Sequence, residues 1–463
     1  MTTLASKSQT WPDAQTRRRR ATASPPAPAP RPWVLQTALI VLALGFGATL
    51  ALALTATTWS QLRAPGGALI FLGSLTGLAG TYLALVMVLL VSRVPFVERV
   101  LGQDGLLRWH RSLAPWPLSL IVAHVVFLTI GYAQAAKTGA WHEFGVLTNS
   151  FPDVLPATIG FFVMVAIGVV SIRAIRQRIP RERWWALHLF MYLALAISFA
   201  HVIVLGPSFV GHPLTQLLWS ALWFATAGLV LTYRIGLPIV RSMRHRLEVV
   251  EVRDEAPGVV TVVCRGRRLE RLAVSGGQFF EWRFLARGMW WQAHPFSLSA
   301  LPRPPYLRLT VKVVGDFTAA VARLQPGTKI AIEGPYGAFT NHHRDRLKIA
   351  LIAGGVGVTA VRSLLEDLPR GCDPVVVLRA TRQEDLLFSD EVAELIRQQK
   401  GRVHELVGPR SKVNLRGIVD LIPDLRQRDV FVAGPEQFVH DVCATLRWLG
   451  VPSDATHAEV YAL

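Results

Sequence analysis

Six apolar stretches fill most of the first half of this 463-residue chain, at residues 33–58, 68–91, 112–134, 155–172, 185–205 and 215–233, and none holds an acidic or basic residue in its interior. A hydrocarbon core about 30 Å thick needs roughly 17–25 such residues in a helix. Backbone polar groups find no water there, so the pattern commits this half to an all-α bundle of six transmembrane helices.

One residue type interrupts the pattern. His124 lies in the third stretch, His188 and His201 lie in the fifth, and His110 stands just ahead of the third. An ionisable side chain within a span is costly and points to function. The members of each pair are 14 (110 to 124) and 13 (188 to 201) residues apart, which is roughly 20 Å along a helix. Two stacked metal centres follow, and haem iron clamped between an imidazole from each helix is the plain candidate. At about 100° per residue, 14 residues fall about 40° short of four turns, so His110 and His124 share a face; 13 residues fall about 140° short. A tightened turn, a kink or a rotated second haem is needed to align His188 with His201. The competing reading is a set of polar histidines hydrogen-bonded between helices; two pairs of nearly equal spacing count against it.

Loop charge sets the topology. Arg93, Arg99, Arg108 and Arg111 separate stretches two and three; Arg173, Arg176, Arg178, Arg181 and Arg183 separate four and five; Arg241, Arg244 and Arg246 follow six. These loops, the N-terminus and everything after residue 243 are expected in the cytoplasm of a multi-pass plasma-membrane protein. Spans three and five then run the same way. That pairs His110 with His188 on the inner side and His124 with His201 on the outer side. The formal charge of +18 is explained by these loops, and no basic patch with interleaved aromatics suggests nucleic acid. The three cysteines, Cys264, Cys372 and Cys443, have no spacing fit for zinc or an iron–sulfur cluster. Residues 1–32, with Arg17–Arg20 and a Pro/Ala run, read as a disordered tail. The following stretch is too long for a signal-peptide core, so a cleaved signal is the lesser reading.

Beyond the membrane half, residues 247–252, 259–264, 278–282, 307–313 and 329–333 alternate as strands, with a short helix near 318–324. These suggest a small antiparallel β-barrel domain over 244–345. Residues 348–353, 374–379 and 429–433 read as buried parallel strands, with helices near 361–368 and 390–399. These form an α/β doubly wound domain over 346–463. Gly354-Gly355-Val356-Gly357-Val358-Thr359 follows the first of those strands and opens a helix, where glycines and free N–H groups suit a pyrophosphate. A tight turn without a ligand is the alternative.

Further motifs share this half: His294-Pro295-Phe296-Ser297-Leu298-Ser299, then Gly315-Asp316-Phe317-Thr318, then Glu333-Gly334-Pro335-Tyr336-Gly337. With Gly354–Thr359 and Ala433-Gly434-Pro435 they resemble, in order, the ferredoxin-reductase-type flavin and nicotinamide module. With six spans and four histidines, the whole chain resembles the ferric reductase and NADPH oxidase superfamily. The resemblance implies that His294, Pro295, Phe296, Ser297 and Ser299 line the flavin of FAD, and that Gly315 and Thr318 help hold its pyrophosphate. Gly334 and Tyr336 lead out of the barrel. Gly354, Gly355, Gly357 and Thr359 match the nicotinamide pyrophosphate loop, and Ala433, Gly434 and Pro435 lie near the nicotinamide. It also implies that the histidines bind two haem b groups.

There are departures. The family's Cys before Gly-Pro is Ala433, and the proline after the pyrophosphate loop is Ala360. The C-terminal aromatic that covers the flavin has Tyr461 as its candidate. Oxygen-reducing relatives often carry a histidine one turn beyond the outer ligand; here Leu128 stands there. Arg379 and Arg382, at the expected adenosine ribose, favour a 2′-phosphate and hence NADPH, with NADH as the other donor; a solvated basic face is the alternative. Arg108 and Arg111, and Arg63 outside, are candidates for haem propionates. The expected activity is electron transfer from cytoplasmic NADPH through FAD and two haems to an external acceptor, ferric chelate before dioxygen. A superoxide-producing oxidase, a haem-free membrane-anchored flavin reductase serving a protein partner, and a histidine proton conduit are the alternatives. A homo-oligomer is left open.

Overall fold

The computed structural model describes residues 32–409 and 417–461, and the chain divides into two compact units, Pro30–Gly236 and Leu237–Leu463. The expected tail, residues 1–32, lies outside the described residues but for Pro32.

The first unit carries the apolar helices. Among the described residues six are long and apolar enough to cross a membrane: Gln36–Thr55, Gly67–Leu90, Gly105–Ala136, Val154–Ser171, Arg181–Val204 and Pro213–His245, here called spans 1–6. Span 1 ends before residue 58, because Thr58 caps the next short helix, Trp59–Arg63, through a box with Gln61. Spans 3, 5 and 6 exceed the expected stretches, since helix continues through polar residues that hydropathy excludes. The loop after span 3 contains a helix of its own, Ala140–Ser150.

Both histidine-bearing spans are interrupted. In span 3 one helix ends at Leu113 and another starts at Pro115, where Pro115 and Pro117 bring no backbone N–H. In span 5 the break is Leu189, directly after His188. There Tyr192 N–H bonds Leu189 O at 3.1 Å, a bond to the third residue back. Such a turn rotates faster per residue than α-helix. This tightened turn takes up part of the angular deficit between His188 and His201.

The second unit holds two sheets. The first, antiparallel, runs in the order β4-β3-β6-β1-β2-β5. Its strands are β1 (Leu247–Ala256), β2 (Val259–Arg265), β3 (Phe279–Phe284), β4 (His294–Ser297), β5 (Tyr306–Lys312) and β6 (Lys329–Tyr336). A bridge between Leu298, just past β4, and Leu309 of β5 closes it as a barrel. Alternation fills the interior: Phe280, Trp282 and Phe284 of β3 are fully buried against Leu307, Leu309 and Ile332.

The second sheet is parallel, in the order β11-β10-β7-β8-β9. Its strands are β7 (Ile349–Gly354), β8 (Val375–Ala380), β9 (Arg402–Val407), β10 (Asp429–Pro435) and β11 (Thr456–Tyr461). The order reverses between β7 and β10. In such sheets that switch point, at the carboxyl ends of the strands, is where ligands bind. Strands β9 and β11 escape a hydropathy reading because they are edges, with partly exposed residues such as His404, Glu405 and Glu459.

Candidate functional site

His110 and His188 lie with ring centroids 6.2 Å apart, and His124 and His201 lie 6.1 Å apart, with ring planes at 76° and 64°. These are the two pairings expected from topology. Their separation can be tested against a shared metal. A metal–nitrogen bond of about 2 Å on each side, plus about 1.1 Å from nitrogen to ring centre, puts centroids about 6 Å apart. Both pairs fit. Among the described residues, no group of three or more His, Cys, Asp or Glu side chains is placed to hold a metal ion. Two imidazoles alone suit a metal whose other positions a macrocycle fills, as in haem.

Each ring's second nitrogen sets how it is held. His110 Nδ1 lies 3.3 Å from Met87 O, and His124 Nδ1 lies 2.7 Å from Gly73 O. Both acceptors are on span 2. A carbonyl accepts only, so Nδ1 carries the proton and Nε2 is left with the lone pair that binds metal. On span 5 the arrangement differs: Nδ1 of His188 and of His201 are buried without a hydrogen-bond partner among the described residues. His188 is braced by stacking instead. Trp184, one turn earlier, lies 5.0 Å away at 22°, its Nε1–H donates to Ser171 Oγ at 3.2 Å, and Arg176 sits 4.4 Å over it.

Close approach of spans 2 and 3 depends on missing side chains. A Cβ on Gly77 would stand 2.4 Å from His124 Nδ1, and one on Gly73 would stand 2.6 Å from Leu128 Cδ2. Sequence reasoning missed Trp184 and Gly77. The first has a readable signal, an aromatic four residues before a candidate ligand; the carbonyl acceptors have none.

In the second unit, the expected cofactor residues mostly gather at the switch point and the barrel edge facing it. Gly354–Gly357 turns from β7 into the helix Val358–Asp367. Gly355 has φ 54°, and a Cβ on Gly357 would meet Ala433 O at 2.2 Å. The Gly354 loop and the Ala433-Gly434-Pro435 turn therefore touch backbone to backbone. This open turn at a helix start fits a pyrophosphate. Pro435 is in register with Tyr461, and Tyr461 Oη lies 3.0 Å from Ser297 Oγ of β4. Burial pushes the Tyr461 phenol up, against hydrogen bonds from Ser297 and Thr359. Tyr461 thus meets residues of both cofactor sets.

On β4, His294 stacks on Phe317 at 3.7 Å, with Phe296 at 6.5 Å from both. This joins the motif to the Gly315–Thr318 turn, where Thr318 Oγ1 accepts the Gly315 N–H at 3.0 Å. Pro295 is exposed on the same strand. Gly334 O accepts from Arg241, and Tyr336 donates to Glu333 at 2.8 Å. Ser299 departs from expectation: it is fully buried, and its hydroxyl accepts Thr310 Oγ1 at 3.0 Å within the barrel wall. The two arginines make local contacts. Arg379 donates to Ala380 O and Gly408 O, and Arg382 pairs with Glu384 at 2.6 Å and Asp385 at 3.2 Å.

A chain of charges, unread in the sequence, links barrel to α/β sheet. Fully buried Arg308 donates both terminal nitrogens to Glu391 (2.8 and 2.9 Å); Arg362 reaches Glu391 at 2.7 Å and also Glu366; Arg303 reaches Glu366 at 2.8 Å. Burial raises the Glu366 carboxyl, but Arg362 and Arg303 outweigh it and bring it down to about 2.

Residues 76–199 match the family described as "Ferric reductase like transmembrane component", and residues 258–340 match "FAD-binding domain". The chain is 24% identical over 311 residues to Dual oxidase 1 of Rattus norvegicus, covering 60% of this chain and 19% of that protein. It is 28% identical over 228 residues to the ferredoxin reductase component of 3-ketosteroid-9-alpha-monooxygenase of Mycobacterium tuberculosis, covering 46% of this chain and 63% of that protein. It therefore spans about a fifth of the dual oxidases it matches. Among solved structures, ferredoxin NADP+ reductase from Neisseria gonorrhoeae with bound FAD and NADP aligns at 18% identity and TM-score 0.40, over 47% of this chain and 98% of that one. Flavohemoglobin from Malassezia yamatoensis aligns at 14% and 0.43, over 84% and 96%.

Proposed function

We propose that this chain, which belongs to the ferric reductase and NADPH oxidase superfamily, is a transmembrane oxidoreductase that moves electrons from cytoplasmic NADPH to an acceptor outside the plasma membrane. The observation that carries the reading is the pair of two-histidine sites on spans 3 and 5, each about 6 Å across, in one chain with a nicotinamide- and flavin-type cleft. When bound, NADPH would supply hydride, FAD would split it into single electrons, and two haems would relay them.

The residues divide the work. His110 with His188, and His124 with His201, would hold the two irons through Nε2. The Gly354–Gly357 turn and the start of its helix would bind the nicotinamide pyrophosphate, with Thr359 beside it. The motif from His294 to Ser297, with Gly315 and Thr318, would seat FAD, and Tyr461 would cover the flavin and exclude water. Arg382, although ion-paired, is exposed and would reach a 2′-phosphate by exchanging partners, which favours NADPH over NADH.

A ferric chelate is the first choice of acceptor. Leu128, one turn beyond His124 and packed at Gly73, brings no polar group to the outer site. Superoxide formation from dioxygen is the second reading, favoured by the similarity to dual oxidases. The test is anaerobic NADPH addition to vesicles holding the reconstituted protein with its soluble unit outward, followed by visible spectra. Reduction of bound haem, then reoxidation by ferric citrate enclosed in the lumen, is expected. Reoxidation by dioxygen alone would select the oxidase. Protein without bound haem would leave a tethered flavin reductase.

A further inference from the structure

At the start of the second unit is a cavity of about 700 Å³ whose lining includes Ser242, Arg246, Arg265, Arg267, Leu285 and Lys329. Its charge is unbalanced. Glu248, the acidic residue among the lining, is shared by Lys329 and Arg265, each at 2.6 Å. Those two neighbours hold its carboxyl down to about 2, so it stays anionic and cancels one cation. Arg246 and Arg267 are exposed and have no ion pair among the described residues. Four cations thus face one anion around a space large enough for a phosphate group and part of what carries it.

The surroundings say what kind of phosphate. Met243, Leu285 and Trp290 are large apolar side chains exposed at 67, 50 and 62%. Leu285 and Met243 line the cavity, and Trp290 closes the same turn, its N–H bonding Ala286 O. Apolar side chains and tryptophan beside arginine are the composition of a membrane–water interface. Chain order gives the same address. The uncharged run of span 6 ends at Tyr233, with Arg234 the first charge after it, and Ser242 and Met243 follow within ten residues, so the chain enters this unit directly from a helix of membrane length.

We propose that this cavity binds the phosphate of an anionic membrane lipid, with Arg246 and Arg267 as the contacting cations and Leu285 and Trp290 resting among the upper acyl carbons. The site involves no haem, flavin or nicotinamide residue. It ties the start of the barrel to the lipid surface.

The test uses the full-length holoprotein in nanodiscs of phosphatidylcholine with increasing phosphatidylglycerol, read by hydrogen exchange of residues 242–248 and 285–291. Exchange is expected to slow as the anionic lipid rises, and to recover in high salt. At about fivefold per cation near an anionic surface, Arg246→Ala with Arg267→Ala is expected to shift the lipid titration midpoint roughly 25-fold, with haem and flavin spectra unchanged. The two Arg→Lys changes together should restore most of it. Equal exchange in neutral and anionic discs would overturn the proposal. So would an unchanged midpoint in the double alanine variant, or full protection by inorganic phosphate in neutral discs, which would make the ligand a soluble phosphate.

Discussion

Replacing Gly77 by alanine places a methyl group 2.4 Å from His124 Nδ1, 2.8 Å from Cε1 and 3.0 Å from Cγ. None of these atoms is the free end of a flexible chain, since the same Nδ1 is tied 2.7 Å from Gly73 O. The ring must tilt or the two spans must part. Overpacking costs about 1–3 kcal/mol, and losing the carbonyl bond adds about 0.5–1.5 kcal/mol. Loss of a second-shell partner weakens metal binding about 10–100-fold. The expected result is protein that keeps the inner haem and holds the outer one substoichiometrically, or with a shifted redox midpoint. Haem per protein by pyridine haemochrome and a spectroelectrochemical titration measure both. Gly80→Ala is the control: its Cβ would press on Ile121 at 3.0 Å and Leu120 at 3.2 Å in the same seam, without touching a ligand. Equal haem loss in both variants, or an unaltered midpoint and haem content for Gly77→Ala, would refute the argument that this glycine sets the imidazole.

Three further outcomes are expected. Glu366 has its folded carboxyl near 2 against an ordinary 4.5, so its stabilisation is complete above about pH 4.5 and fades as pH falls toward 2. It amounts to a few kcal/mol, and acid unfolding of Glu366→Gln followed by flavin fluorescence should lack that segment of the pH dependence. Trp184→Leu removes the indole that stacks on His188 and should change the low-spin electron paramagnetic resonance signal of the inner haem while sparing the outer one; identical spectra would show that the indole only fills space. Arg382→Ala should lower kcat/KM for NADPH about tenfold, the worth of a charged hydrogen bond, and leave NADH within twofold; equal effects on both donors would remove the 2′-phosphate assignment.

Much of this architecture is written in side-chain periodicity. Uncharged runs of membrane length announce the spans, and strict alternation announces strands such as β3, with Phe280, Trp282 and Phe284 all turned inward. The histidine pairing is legible because spans 3 and 5, with one span between them, run the same way and leave one way to match the four rings. Other features are not legible for physical reasons. The helix break at Leu189 involves no proline or glycine of its own. Edge strands β9 and β11 carry exposed polar residues and read as loops. Ser299 shares a motif with the exposed Pro295 yet points into the wall, since motif membership does not say which way a residue faces. The Arg308–Glu391–Arg362–Glu366–Arg303 chain joins residues far apart in sequence whose individual spacing means nothing.

Span 2 supplies no ligand, yet its carbonyls at Gly73 and Met87 address His124 and His110. The two acceptors are 14 residues apart (73 to 87), the same interval as the histidines they serve (110 to 124). The second helix therefore acts as a ruler laid antiparallel to the third, with its two marks made of backbone. Inserting one residue between those marks would turn one of them about 100° away without changing any ligand. Proteins of this plan should thus tolerate substitution along span 2 far better than any change in its length.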